Sequence, residues 1–217
     1  SITTDTPSMQ AARYESGLDN SPMYDGDFFA YNETTRTGHM LLWDVGMTSM
    51  VAMEIRALAD LALTAFSPPR TDVHAVLPSQ LAELSAAVQE NLWSEDLGIF
   101  VNKFSQNGSF YPHISPTSFY PMLAGISTDV QAATMVTQWL TNASRFRVAP
   151  NGDSEGNSQA CFWGLPSISA DDPAFPPLGY WRGFVWGPMA QLTYWSLQQY
   201  GHVPVVAQAR AALAKQM

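Results

Sequence analysis

Three short clusters hold the side chains best suited to chemistry. The first is Glu15-Ser16-Gly17-Leu18-Asp19-Asn20-Ser21-Pro22 and the second is Leu41-Leu42-Trp43-Asp44-Val45-Gly46. The third is Tyr180-Trp181-Arg182-Gly183-Phe184-Val185-Trp186-Gly187-Pro188. Carboxylates, an arginine and several aromatic rings form a set that suits saccharides. The C–H faces of sugar rings stack on Trp and Tyr, and their hydroxyls need charged or amide partners. Cleaving a glycosidic bond needs two carboxyl groups, one to protonate the departing oxygen and one to activate water or attack carbon. Partial burial beside apolar and aromatic groups can keep the acid protonated near neutral pH.

Each residue also has a plainer reading. Asp19, just ahead of Ser21-Pro22, fits a turn or helix-cap position, and Asp44 fits the cap of a helix starting at Val45 or Gly46. Taken singly, Trp181 and Trp186 fit a core, and Arg182 could pair with any of the 19 acidic residues. None of these residues decides the matter alone.

The elements that must carry the clusters are helical. Met47, Met50/Val51, Ile55, Leu58, Leu61/Ala62 and Phe66 form an apolar stripe at spacings of three and four. It stops at Ser67-Pro68-Pro69, where proline forbids continuation. A second stripe runs Leu77, Leu81, Leu84, Val88, Leu92 and closes at Leu97-Gly98, with Pro78 in its first turn. A short helix is expected over about residues 117–125 after Ser115-Pro116. Another is expected after a cap at Ser127 or Thr128, with the stripe Val130, Ala133, Val136/Thr137, Leu140, Ala143. Two more run from about Pro188 to Tyr200 and from Pro204 onward, broken at Gly201. Six or seven helices in consecutive pairs predict stacked αα-hairpins, and no strand period recurs. If alternate helices line an inner ring, the loops entering them share one rim, where the three clusters converge. The aromatic, Gly/Pro-rich loop over residues 150–187 is long enough to be read as functional.

Composition excludes several classes. The 217 residues suit one domain or a piece of a larger one, and 46% apolar content is enough for a core. No apolar run reaches the roughly 18 residues of a membrane span. A formal charge of −9 without any Lys/Arg cluster argues against nucleic acid and against strongly anionic ligands as a class. A neutral ligand fits best. The single Cys161 excludes an intrachain disulfide and a Cys-based zinc site, and reads as a small buried residue rather than a nucleophile. The triplets Asn32-Glu33-Thr34, Asn107-Gly108-Ser109 and Asn142-Ala143-Ser144 are compatible with secretion. The polar opening SITTDTPSMQ, without an initiator Met or a signal peptide, is expected of a processed chain or an excerpt.

In order along the chain, ESGLDNSP resembles the acid-bearing signature of glycoside hydrolase family 63 and its mannosylglycerate hydrolase-like relatives. Trehalases carry a more distant form of it. YWRGFVWGPM looks like the Y-W-R-G-x-x-W segment of that group, and LLWDVGMTSM matches its Asp-led helix entry. SPTSFYPMLAGI resembles a Pro-flanked helix shared with trehalases. The similarity runs from about Glu15 to about Tyr200.

The resemblance implies an all-α (α/α)6 toroid of helical hairpins, with residues 1–217 supplying part of one catalytic domain. It implies inverting hydrolysis of a terminal α-linked glucose or mannose, with no metal or organic cofactor. Carried over by position, Asp19 is the general acid. Tyr180, Trp181, Arg182 and Trp186 line the sugar pocket, with Trp43 and Asp44 as neighbours, while Glu15 matches the motif without needing to touch substrate. Two departures stand out. Met23 occupies a position where many relatives have Arg, so one pocket contact is expected to differ. The family's catalytic base is a Glu downstream of the W-R-G segment, and no Glu follows Glu155. The base is therefore expected beyond Met217 in a longer enzyme; recruitment of Asp153 or Glu155 is the other way to supply it. A rival reading is a sugar-binding module or pseudoenzyme that keeps the aromatic pocket without hydrolysis. A further rival is an unrelated helical toroid such as a terpene-cyclase-like enzyme, for which the adjacent acidic pair Asp171-Asp172 would be the candidate motif.

Overall fold

The computed structural model describes residues 9–26, 28–32, 34–148, 164–175 and 179–217. Asp153, Glu155 and Cys161, singled out above, lie outside the described residues. The helices are α1 (Met9–Glu15), α2 (Val45–Thr64), α3 (Thr71–His74), α4 (Leu77–Leu92), α5 (Tyr120–Leu123), α6 (Asp129–Met135), α7 (Gly187–Gln199) and α8 (Pro204–Gln216). Neighbouring helices pack in pairs, α2 against α4 and α7 against α8, with α5 wedged between α2 and α7.

Local sequence explains the ends. Thr128 and Gln131 form a reciprocal capping box at α6, satisfying two otherwise orphaned N–H groups. Beyond Met135 the expected continuous helix changes to one π-turn over Val136–Leu140. The expected helix at 117–125 is two short pieces, a 3-10 turn at Pro116–Phe119 and then α5. Pro116 and Pro121 each stand at the start of a piece, where the missing N–H costs nothing. Arg56 of α2 reaches the end of α5 and donates to the carbonyls of Leu123 (3.1 Å) and Ala124 (3.2 Å). It thereby satisfies acceptors that a helix end leaves open.

Most of the apolar stripe read on α2 does not face the core, Ala62 being its buried member and Ile55 partly buried. Met47, Met50, Val51, Leu58, Leu61 and Phe66 are exposed, and the buried face is Val45, Gly46, Ser49, Ala52, Ala59 and Ala62. Small residues let the backbone approach its neighbours closely. A Cβ at Gly46 would stand 2.7 Å from Thr117 Cβ, so only glycine fits there.

Helices dominate, as the spacing predicts, but the all-α expectation needs one correction. Among the described residues three small antiparallel sheets link the helices. A hairpin pairs β1 (Phe29–Asn32) with β2 (Thr37–Met40), and β4 (Trp93–Ser94) pairs with β5 (Ile99–Phe100). The third sheet is ordered β3 (Leu42–Trp43), β6 (Asn102–Phe104), β7 (Phe110–Tyr111). Strands of two to four residues are too short to leave a period in the sequence.

The larger core cluster fills the space among α2, α4, α6, α7 and α8. A smaller one, comprising Leu18, Met23, Tyr24, Phe28, Leu42, Ile168, Trp181 and Met189, draws a residue from each of the three motif clusters. Met23 is fully buried there, so the position has become part of the core.

One buried carboxylate joins these layers. Asp44, 7% exposed, caps α2 by accepting from Met47 N (2.7 Å). Its second oxygen accepts from the Tyr24 hydroxyl (2.7 Å) and the Asn102 amide (3.1 Å). Asn102 in turn accepts from Val45 N at 2.8 Å. Burial, followed by the charge and hydrogen bond of Asp44, holds the Tyr24 phenol well above its ordinary pKa. Asp44→Ala removes the cap and strands two buried polar groups, at an expected cost of about 3 kcal/mol. Asp44→Asn, which keeps shape and one acceptor, should cost less. Urea unfolding of the two variants checks this, and an Asp44→Ala loss below about 1 kcal/mol would contradict the role.

Candidate active site

Asp19 sits in a tight turn, as its plainer reading allows. Ser21 N donates to Leu18 O (2.6 Å), which leaves Asp19 and Asn20 as the two central residues. Upstream, Gly17 takes a positive φ (+73°), and Ser16 Oγ accepts from Leu18 N (3.2 Å). Downstream, Ser21 caps the 3-10 turn Pro22–Tyr24. Asp19 is thus fixed on both sides and remains partly exposed.

The aromatic segment forms a second turn. Gly179 and Arg182 exchange backbone hydrogen bonds (N to O, 2.9 and 3.2 Å), with Tyr180 and Trp181 between them. Tyr180 has φ +54°, in the left-handed region that two-residue hairpin turns usually give to Gly, Asn or Asp. Asn20 locks the two turns together, accepting from Trp181 N (2.9 Å) and donating to Gly179 O (3.4 Å). The Tyr180 phenol is held above its ordinary pKa, chiefly by its interaction with the nearby Asp19 carboxylate and also by desolvation.

Behind Tyr180 the indoles of Trp181 and Trp186 lie face to face, with ring centroids 4.1 Å apart and planes at 6°. Trp186 Nε1 donates to Tyr180 O (3.2 Å), and Tyr180 stands edge-on to both rings. Trp181 is 8% exposed, and its Nε1 is a buried donor without a partner among the described residues. A cavity of about 150 Å³ opens beside it, lined also by Ser16, Leu18, Asp44, Thr117 and Met189.

Arg182 points to a protein partner. Its Nη2 donates to both oxygens of Asp25 (2.6 and 2.7 Å), and Arg13 approaches the same carboxylate at 3.4 Å. Arg13 Nε also donates to Tyr24 O (2.8 Å), and the Tyr111 hydroxyl donates to Asp25 O (2.7 Å). These bonds tie α1, the 3-10 turn, β7 and the aromatic turn into one platform.

The fold therefore brings Asp19, Tyr180, Trp181 and Trp186 together, with Arg182 bracing them. Asp44 lies beneath, its carboxylate committed to protein donors. Trp43 is 44% exposed and lines a different cavity of about 440 Å³ between the start of α2 and α4, with Leu84, Val88 and Asn91. Asp171 and Asp172 hold protein groups, Arg145 and His113 respectively. Sequence reading assigned no role to Asn20, Tyr24 or Asp25. Asn20 and Asp25 lie close to Asp19 in sequence, but no spacing rule reveals the partners across the chain at Gly179, Trp181 and Arg182. Among the described residues no cluster of His, Cys, Asp and Glu could hold a metal ion, and no helix is long and apolar enough to cross a membrane.

Known proteins share this architecture. Neutral trehalase Nth1 from Saccharomyces cerevisiae superposes with a TM-score of 0.64 at 17% identity, over 90% of this chain and 33% of its own. The GH63 mannosylglycerate hydrolase from Thermus thermophilus, in complex with Tris and D-glycerate, gives 0.56 at 21% identity, over 81% of this chain and 37% of its own. At these identities the likeness concerns the fold, a helix-rich one of the helical toroid-type glycosidases. In sequence, mannosylglycerate hydrolase MGH1 of Selaginella moellendorffii is 25% identical over 116 residues, 52% of this chain. The aligned region spans 20% of that curated relative's length. Residues 5–217 match the mannosylglycerate hydrolase MGH1-like glycoside hydrolase domain, and the chain belongs to that family.

Proposed function

We propose that this chain supplies the acid half of an inverting glycosidase site acting on a terminal α-linked glucose or mannose. Its helical hairpins would form part of an (α/α)6 toroid. Asp19 protonates the departing glycosidic oxygen, and water attacks the anomeric carbon from the opposite face. That water is activated by a second carboxylate, expected beyond Met217 in the longer enzyme. The two carboxyl groups of an inverting site stand roughly 6.5–9.5 Å apart, leaving room for the water.

The observation that carries the reading is the meeting of Asp19 with an aromatic platform. A partly exposed carboxyl stands on a turn that Asn20 locks to the aromatic turn of Tyr180, backed by two stacked indoles. The buried, unpartnered Nε1 of Trp181 supports it further, because such a donor calls for a sugar hydroxyl or water. Arg182 acts in this reading by holding the turn through Asp25, and Asp44 by holding the helix entry. Trp43, on its own cavity, would serve a more distant part of a saccharide.

Mannosylglycerate, simple α-mannosides and α-glucosides, and trehalose form the first substrate panel, chosen from the family and the relatives. In the longer enzyme, Asp19→Asn should lower turnover by about a hundred- to ten-thousandfold. Saccharide binding, read from tryptophan fluorescence, should survive. Near-normal turnover in Asp19→Asn would remove Asp19 from the acid role. Binding without turnover in the unaltered longer enzyme would instead establish a sugar-binding module.

A further inference from the structure

The hydrogen-bonding groups around the cavity beside Trp181 do not all find partners in the protein. The lining side chains that carry nitrogen or oxygen are Ser16, Tyr24, Asp44, Thr117, Tyr120 and Trp181. The first four are committed. Ser16 Oγ donates to Arg13 O (2.6 Å), the Tyr24 hydroxyl donates to Asp44 (2.7 Å), and the Thr117 and Ser115 hydroxyls share a hydrogen bond (2.6 Å). Asp44 accepts from Met47 N and Asn102 as well.

Trp181 and Tyr120 differ. Trp181 Nε1 is a buried donor without a partner among the described residues. Tyr120 opens α5 and is 3% exposed. Its hydroxyl makes no hydrogen bond to a described residue, and burial is the one cause that pushes its pKa well above the ordinary value. Leaving such groups unpaired costs free energy, so two of them on one cavity call for a polar occupant.

The rest of the lining narrows what that occupant is. Asp44 is the one charged group among the described lining residues, and its negative charge disfavours an anion. Both its oxygens already serve protein donors, which leaves little for a cation. Much of the remaining wall is apolar, with Met47, Met50, Met189 and Leu192. A neutral ring with C–H faces and hydroxyl edges meets both demands. A hydroxyl accepts from an indole N–H and pairs with a phenol in either sense. A volume of about 150 Å³ suits one sugar ring or a few waters rather than an oligosaccharide. Leu18, on the cavity wall, directly precedes Asp19, so an occupant sits beside the turn that carries the carboxyl.

We propose that Tyr120 is a substrate-binding residue whose hydroxyl, together with Trp181 Nε1, holds hydroxyls of the terminal sugar in this cavity. The proposal rests on the glycosidase reading and adds to it a residue outside the three motif clusters, from the Pro-flanked segment SPTSFYPMLAGI.

Methyl α-mannoside and methyl α-glucoside, with their 2-, 3-, 4- and 6-deoxy forms, are the probes. Calorimetry in the longer enzyme carrying Asp19→Asn measures binding with turnover blocked. Adding Tyr120→Phe should weaken the better-bound glycoside about three- to tenfold. The urea midpoint should not fall, because the phenol has no protein partner to lose. For one deoxy form the losses from sugar and protein should fail to add, since the groups removed are partners. An unchanged Kd in Tyr120→Phe, losses that add for every deoxy form, or no binding of either glycoside would overturn the proposal. Should Tyr120→Phe fail to fold by circular dichroism, a crystal structure of the Asp19→Asn complex decides. It should show a sugar hydroxyl within hydrogen-bond reach of the Tyr120 phenol; water alone at that phenol would overturn the proposal. An acid that lies elsewhere shows as turnover in Asp19→Asn, and a Tyr120 that holds no sugar shows as an unchanged Kd, so the two failures are told apart.

Discussion

A buried carboxylate with committed oxygens is a demanding thing to place in a protein, and Asp44 sets the terms for the rest of this one. An ionised group removed from water must find donors in the structure or neutralise itself. Asp44 finds them on three separate elements: the first turn of α2, the 3-10 turn at Pro22–Tyr24 and strand β6. Each donor is therefore fixed relative to the others. The start of α2 determines where its small-residue face meets Thr117 and α5. The position of Tyr24 determines the path of the chain just before it, which is the turn bearing Asp19 and Asn20. A single electrostatic requirement thus couples the helical layer to the site above it.

The site itself is built from turns, and its rigidity comes from hydrogen bonds between turns. Asn20 joins the Leu18–Ser21 turn to the Gly179–Arg182 turn, and Asp25 gathers Arg13 and Arg182 beneath them. The partial exposure of Arg182 and Asp25 limits what the ion pair adds to stability. Its value lies in geometry, because two short contacts to one carboxylate fix the direction in which the aromatic turn approaches α7. The stacked indoles complete the platform and add about 0.5–1.5 kcal/mol beyond their burial. Strain at Tyr180 is tolerated because these contacts over-determine the turn.

Much of this was legible in the residues themselves. Helix starts at Leu77 and Pro204 follow from proline and apolar spacing, and Thr128 is one of the two caps the sequence offers, whereas α4 ends at Leu92, short of the expected close at Leu97-Gly98. The convergence of Asp19 with Tyr180, Trp181 and Trp186 follows from motif order, and Asp44 as a cap from its place before Val45. What escaped depends on tertiary context. The period on α2 marks mostly large apolar residues, yet the buried face is made of small ones, and at Gly46 the close approach of Thr117 leaves no room for a side chain. The strands were too short to show alternation. The partners of Arg182 and Asn20 lie more than 150 residues away in sequence, where no local rule reaches.

The proposed function makes one mechanistic claim: an acid on this chain works with a water delivered across the sugar ring. Proton NMR of the first sugar released by the longer enzyme from an α-mannoside or α-glucoside tests it most directly. The β-anomer should appear first and only later mutarotate to the equilibrium mixture. First release of the α-anomer would mean net retention, and with it a covalent or otherwise different route that contradicts the claim.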